Sequence, residues 1–211
     1  DLKTRRHQQT LDLGADQQMS LVLVPVHNPT RAYGFVCSVI SLTDLSSSIF
    51  MWYLDGAQAV NGKGNGKPNG KPRGEWKVKK VITIPAEPAA AETLPPLLQG
   101  FKAVPPLITD INLSLDDRFL YVSCWGTGEL RQYDVSDPFN PVLTGTLRIG
   151  GITTRAAHPS RPGVAQNGGP QMIEVSRDGR RVYLTNALFT PWDQQFYPDG
   201  IRGWMAKIDA S

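Results

Sequence analysis

Two stretches of the chain follow one pattern. Leu113-Ser-Leu-Asp-Asp-Arg-Phe-Leu-Tyr-Val-Ser123 and Val175-Ser-Arg-Asp-Gly-Arg-Arg-Val-Tyr-Leu-Thr185 both read apolar-Ser-x-Asp-Asp/Gly-Arg-x-apolar-Tyr-apolar-Ser/Thr. In each copy an apolar run ends at the Ser. Asp116-Asp117 or Asp178-Gly179 then supplies turn chemistry that tolerates a positive φ. A second run returns with Tyr among aliphatic residues. The first copy continues into residues 129–134, a turn at Asp137-Pro138 and Asn140-Pro141, and a further run over 142–149. Four short antiparallel strands per repeated unit describe a propeller blade. The copies are offset by about 60 residues, more than the roughly 40 to 45 of the shortest blade classes. The Gly-, Pro- and Arg-rich connection over 150–170 supplies the excess.

The rest of the chain agrees. Its 17 Pro and 20 Gly fall at short intervals, so few windows leave room for a helix. The runs between them predict strands at 9–13, 21–26, 33–40, 48–53, 76–84, 108–115, 119–124, 129–134, 142–149, 171–176, 181–186 and 204–208. Within 76–84, alternation places Trp76, Val78, Ile82 and Ile84 on one face, with Lys80 an exception, and Lys77, Lys79 and Thr83 on the other. The expected fold is all-β: one partial β-propeller domain over residues 1–211, holding three to four blades. Residues 61–74, an Asn/Gly/Lys/Pro run, read as a flexible loop insertion. Their Lys63, Lys67, Lys71 and Arg73 lack interleaved aromatics for stacking bases, which favours a solvated loop over a polyanion-binding arm. Residues 86–96 read as a second linker.

A net charge of +3 gives no sign of a nucleic-acid binder. No apolar run nears the roughly 18 residues of a membrane helix. Cys37 and Cys124 form neither a disulfide framework nor a zinc spacing, and each sits in an apolar run, so both are expected buried and reduced. No signal peptide opens the sequence, which starts at Asp1 without an initiator Met, so the compartment stays open.

Several longer runs carry a resemblance. They are Leu107-Ile-Thr-Asp-Ile-Asn-Leu-Ser-Leu-Asp-Asp-Arg-Phe-Leu-Tyr121, Leu130-Arg-Gln-Tyr-Asp-Val-Ser-Asp-Pro138, and Gly168-Gly-Pro-Gln-Met-Ile173 before Asp178-Gly-Arg-Arg-Val-Tyr183. Trp192-Asp-Gln-Gln-Phe-Tyr-Pro-Asp199, Val26-His-Asn-Pro29, Gly34-Phe-Val36 and Trp76-Lys-Val-Lys-Lys-Val-Ile82 extend it over nearly the whole chain. Together they resemble the selenium-binding protein family, whose members include methanethiol oxidase. The resemblance implies a seven-bladed propeller, of which this chain would be a C-terminal-half part. It also implies a small thiol substrate and copper-dependent oxidation of methanethiol by O2 and water to formaldehyde, hydrogen sulfide and hydrogen peroxide. A redox copper site takes several imidazoles. The family's paired-His and His-Glu motifs are not in this sequence, and only His27 carries over as a metal ligand. The chain alone is therefore expected to be inactive.

Other positions have quieter readings. His7 and His158 belong to no motif and are expected at the surface. Asp110 and Gln171 stand at the start of a repeat's first strand, where they either orient a substrate or tie blade to blade through backbone N–H groups. Asp116, Asp117, Asp178 and Gly179 are turn chemistry; Trp192, Phe196 and Tyr197 are packing aromatics. Neither cysteine matches the family's proposed selenium-attachment position, so selenium binding does not carry over to this chain. The family occurs in cytoplasmic and periplasmic forms. The alternative function is a non-catalytic propeller scaffold that binds protein partners through its faces.

Overall fold

The computed structural model describes residues 3–56 and 74–210. The expected loop over 61–74, Gly74 apart, lies outside the described residues, as do its four basic side chains. The remainder is built on three antiparallel meanders. Sheet I takes its strands in the order β2 (Leu23–Pro25), β3 (Tyr33–Ser38), β5 (Ser47–Asp55) and β6 (Glu75–Ile84). Sheet II runs β9 (Ile108–Leu113), β10 (Phe119–Cys124), β11 (Glu129–Asp134) and β12 (Val142–Arg148). Sheet III runs β15 (Ile173–Val175), β16 (Arg181–Thr185) and β17 (Met205–Asp209). Two-residue strands pair beside them: β1 (Gln17–Gln18) with β4 (Ile40–Ser41), β7 (Glu87–Pro88) with β8 (Ala103–Val104), and β13 (Ala156–Ala157) with β14 (Ala165–Gln166).

The first strands of the three sheets lie side by side, with β9 packed between sheet I and β15. Alternation along sheet II serves both neighbours. Ile111, Leu113, Leu120 and Val122 face sheet I and meet Phe35, Cys37, Ile49 and Met51 in one core cluster. Tyr121 and Leu130 join Ile173, Val182 and Leu184 of sheet III in another. A third cluster, around the buried Trp125, covers the end where the first strands begin.

Three departures from expectation have local causes. Residues 9–13 form no strand, although the Gln9 side chain reaches the Trp76 carbonyl at 2.8 Å. In β6 the register jumps, Ile49 pairing with Ile82 and Phe50 with Lys80. Val81 is left over as a bulge, so Ile82 and Ile84 turn into the core while Trp76 and Val78 lie on the other face. Strict alternation put all four on one face; one extra residue divides them. Residues 86–96 are no bare linker either. With α1 (Pro96–Gln99) they place Leu94 and Leu98 in the core around Trp125. A second helix, α2 (Thr190–Phe196), starts with Pro in its first turn, where the missing N–H costs nothing. No helix among the described residues is long and apolar enough to cross a membrane.

Candidate functional site

The repeated turns are near copies in atomic detail. In the first, Asp116 Oδ1 accepts from Ser114 Oγ at 2.5 Å and from the Arg118 amide at 3.1 Å. In the second, Asp178 Oδ1 accepts from Ser176 Oγ at 2.5 Å and from the Arg180 amide at 3.1 Å. The next residue has a positive φ in both: +59° at Asp117 and +70° at Gly179. Glycine takes that conformation without strain, whereas an L side chain there costs about 1–2 kcal/mol.

Asp117 has a use for its side chain. It is 5% exposed and reaches from sheet II to the corresponding turn of sheet I. Its Oδ1 accepts from the His27 amide at 2.7 Å and its Oδ2 from the Asn28 amide at 2.9 Å. The His27 ring completes the contact, with Nδ1 2.8 Å from Asp117 Oδ1. A carboxylate can only accept, so Nδ1 carries the hydrogen of this contact, and in the tautomer with Nδ1–H it is Nε2 that has the lone pair. The side chain is 45% exposed. The sequence alone reads Asp117 as turn chemistry. The signal for more was an Asp where the second repeat has Gly.

Asp110 and Gln171 occupy the opposite end of the first strands. Asp110 Oδ2 accepts from the Ile173 amide of sheet III at 2.6 Å, and Oδ1 from its neighbour Ile111 at 2.9 Å. The Gln171 carbonyl accepts from the hydroxyls of Thr109 (3.1 Å) and Ser123 (2.8 Å). Both join sheet II to sheet III, but only Asp110 does so in the second role read from the sequence, by accepting from a backbone N–H; Gln171 contributes its main-chain carbonyl, which accepts from hydroxyls. Burial pushes the Asp110 carboxyl up to about 6, against the pull of the two amides.

The remaining candidates are structural or peripheral. Tyr197 is buried; its hydroxyl donates to the Trp125 carbonyl at 2.9 Å and accepts from the Gly169 amide at 3.1 Å. Trp125 packs edge-on against Phe196 and Tyr197, and Trp192 lies against Phe196. His7 is exposed and His158 partly so, the latter accepting from the Ser160 amide. Cys37 and Cys124 are free and buried, and burial raises both thiols, Cys124 to about 12. Among the described residues no group of three or more His, Cys, Asp or Glu side chains is placed to hold a metal ion. Among the described residues the partner of the His27 ring is Asp117.

The chain as a whole is similar to known proteins. Residues 1–211 match the family model described as 56kDa selenium binding protein. Methanethiol oxidase from Homo sapiens is 42% identical over 94% of the chain and 39% of its own length. Methanethiol oxidase from Xenopus tropicalis is 38% identical over 99% of the chain and 42% of its own length. The X-ray structure of a hypothetical selenium-binding protein from Sulfolobus tokodaii superimposes with a TM-score of 0.87 at 51% identity. That match covers 100% of this chain and 42% of the other. The chain thus spans about two fifths of the length of these relatives.

Proposed function

Because the chain belongs to the 56 kDa selenium-binding protein family, we propose that it is part of a methanethiol oxidase and contributes three consecutive blades to a seven-bladed propeller. The observation that carries this reading is similarity along the entire chain to relatives named methanethiol oxidase. The side-by-side first strands of sheets I, II and III support the blade assignment.

Copper calls for several imidazoles. The described residues offer one that is oriented by a carboxylate, and no three-residue cluster. These residues by themselves do not fit a copper centre. We assign His27 as one ligand, through Nε2, of a site whose other ligands come from outside them. Asp117 would hold the ring in the tautomer that leaves Nε2 free.

The test uses the full-length protein that carries this chain, with its His27→Ala variant and the isolated chain beside it. Metal content, methanethiol consumption and sulfide release are measured on all three. Copper and sulfide release in the full-length protein, reduced in the variant and absent from the isolated chain, are expected. A full-length protein that binds no copper and leaves methanethiol untouched refutes the oxidase and leaves the scaffold reading. Full copper occupancy in the variant removes His27 from the ligand set.

A further inference from the structure

Two recesses adjoin beside the core cluster around Trp125 and share Arg155, Asn167 and Asp199 in their walls. The first, of about 230 Å³, is floored by the buried Leu94, Ile152 and Phe196. The second, of about 420 Å³, has Arg202 on its far side and lacks that floor. Residues 150–155 close on themselves, through a bridge between Gly150 and Arg155 and a 3.1 Å bond from the Gly151 amide to the Thr154 carbonyl. This small loop grips the Arg155 side chain by one nitrogen. Nη1 donates to the carbonyls of Gly151 (2.8 Å), Ile152 (3.3 Å) and Thr154 (2.9 Å). A guanidinium is planar, so holding Nη1 orients the whole fork. Its Nε and Nη2 donate to no described residue, and such an edge can take a carboxylate through two parallel bonds. Asn167 Nδ2 donates to the Gly200 carbonyl at 3.0 Å, which leaves Oδ1 as an acceptor. The Asp199 carboxylate, on an exposed turn, has no hydrogen bond or ion pair among the described residues.

The lining narrows the chemistry of a ligand. A plain carboxylate or phosphate would meet Arg155 but also the like charge of Asp199. A plain amine would suit Asp199 and meet Arg155. A molecule with both charges on one carbon satisfies the two walls together, and charge arranged in this way discriminates between ligands more than it adds raw affinity. An α-amino acid has that arrangement. Its carboxylate matches the Nε–Nη2 edge of Arg155, and its ammonium has three donors for Asp199 and Asn167 Oδ1. Leu94, Ile152 and Phe196 offer an aliphatic side chain an apolar floor. A cavity of about 150 Å³ takes benzene, so the first recess has room for such a side chain. We propose that this recess binds a free α-amino acid with an aliphatic side chain, held by Arg155 at the carboxylate and by Asp199 at the ammonium.

The test titrates L-leucine against the full-length protein that carries this chain, followed by ligand-observed NMR. Two analogues run beside it: 4-methylpentanoate, which lacks the ammonium, and 3-methylbutylamine, which lacks the carboxylate. Saturable binding of L-leucine is expected, with each analogue weaker by roughly fivefold or more. Asp199→Asn is expected to weaken L-leucine to the level of 4-methylpentanoate, and to leave that analogue unchanged or tighter. Arg155→Lys keeps the charge but loses the fork, and is expected to weaken both carboxylates. Unfolding curves check the fold of both variants. Asp199→Asn changes only an exposed turn, so it tests the pairing even if Arg155→Lys loosens its loop. No saturable binding of L-leucine, or binding that Asp199→Asn leaves unchanged, overturns the site. Equal binding of L-leucine and 4-methylpentanoate overturns the amino-acid class. Methanethiol turnover does not enter these measurements, so the site stands or falls separately from the oxidase reading.

Discussion

Sheet II meets sheet I across aliphatic, aromatic and sulfur-bearing side chains, and the polar tie between them, Asp117 to the His27 turn, sits at the end of the strands. It meets sheet III partly through groups that hydrogen-bond inside the contact: Asp110 to the Ile173 amide, Thr109 and Ser123 to the Gln171 carbonyl, and Asn112 to the Ile173 carbonyl. The difference lies in what replaces a lost partner. Beside the half-exposed His27, water can bond to freed amides. Between sheets II and III the freed groups stay buried, and an unpaired buried donor costs about 1–3 kcal/mol. The same residue type therefore carries unequal weight at the two junctions.

Asp110→Ala provides the strongest test of that contrast. It leaves the Ile111 and Ile173 amides without their acceptor, and a loss of roughly 2–4 kcal/mol is expected in urea unfolding. A loss below that at the His27 turn would undo the comparison. Asp117→Gly comes next. It gives the first repeat the glycine of the second and relieves the positive φ, so its net cost is the lost tie to sheet I less that relief. About 1 kcal/mol is expected, with faster hydrogen exchange at the His27 and Asn28 amides and little change at Ile173.

A pH series sharpens the comparison further. The folded carboxyl of Asp110 titrates near 6, above its ordinary value of 3.8, because burial disfavours the anion. The folded state therefore binds its proton more tightly, and the stabilisation is fully present below 3.8 and lost as pH rises through 6. Stability relative to Asp110→Asn, followed by urea unfolding, is expected to fall over that window. The smallest effect concerns the thiols. Burial raises both Cys37 and Cys124, so neither is expected to react with iodoacetamide in the native protein at neutral pH, and both are expected to react in denaturant. Both cysteines lie in the core cluster between sheets I and II, so native labelling of the pair would mark that junction as one that opens.

Much of the fold was legible because its signals are local. The Ser-x-Asp-Asp/Gly-Arg turns were found from a few adjacent residues, and their hydrogen bonds close within those residues. The site was less legible. His27 stood out only through a motif, and Asp117, which orients its ring, lies 90 positions away. The helix at Thr190–Phe196 was missed because it is short and its aromatic side chains serve a core assembled from distant segments.

The sequence by itself determined the all-β class, the strand pairs of the repeat, the positive-φ turn positions and the burial of both cysteines. Each follows from periodicity, turn chemistry or side-chain polarity acting over a few residues. Tertiary structure alone decided which face Ile82 and Ile84 take, because the Val81 bulge satisfies pairing with β5 rather than any preference of β6. It also decided that Asp110 joins sheet III and Asp117 sheet I. Both carboxylates belong to one hairpin of sheet II, and their partners exist only where separate sheets come together.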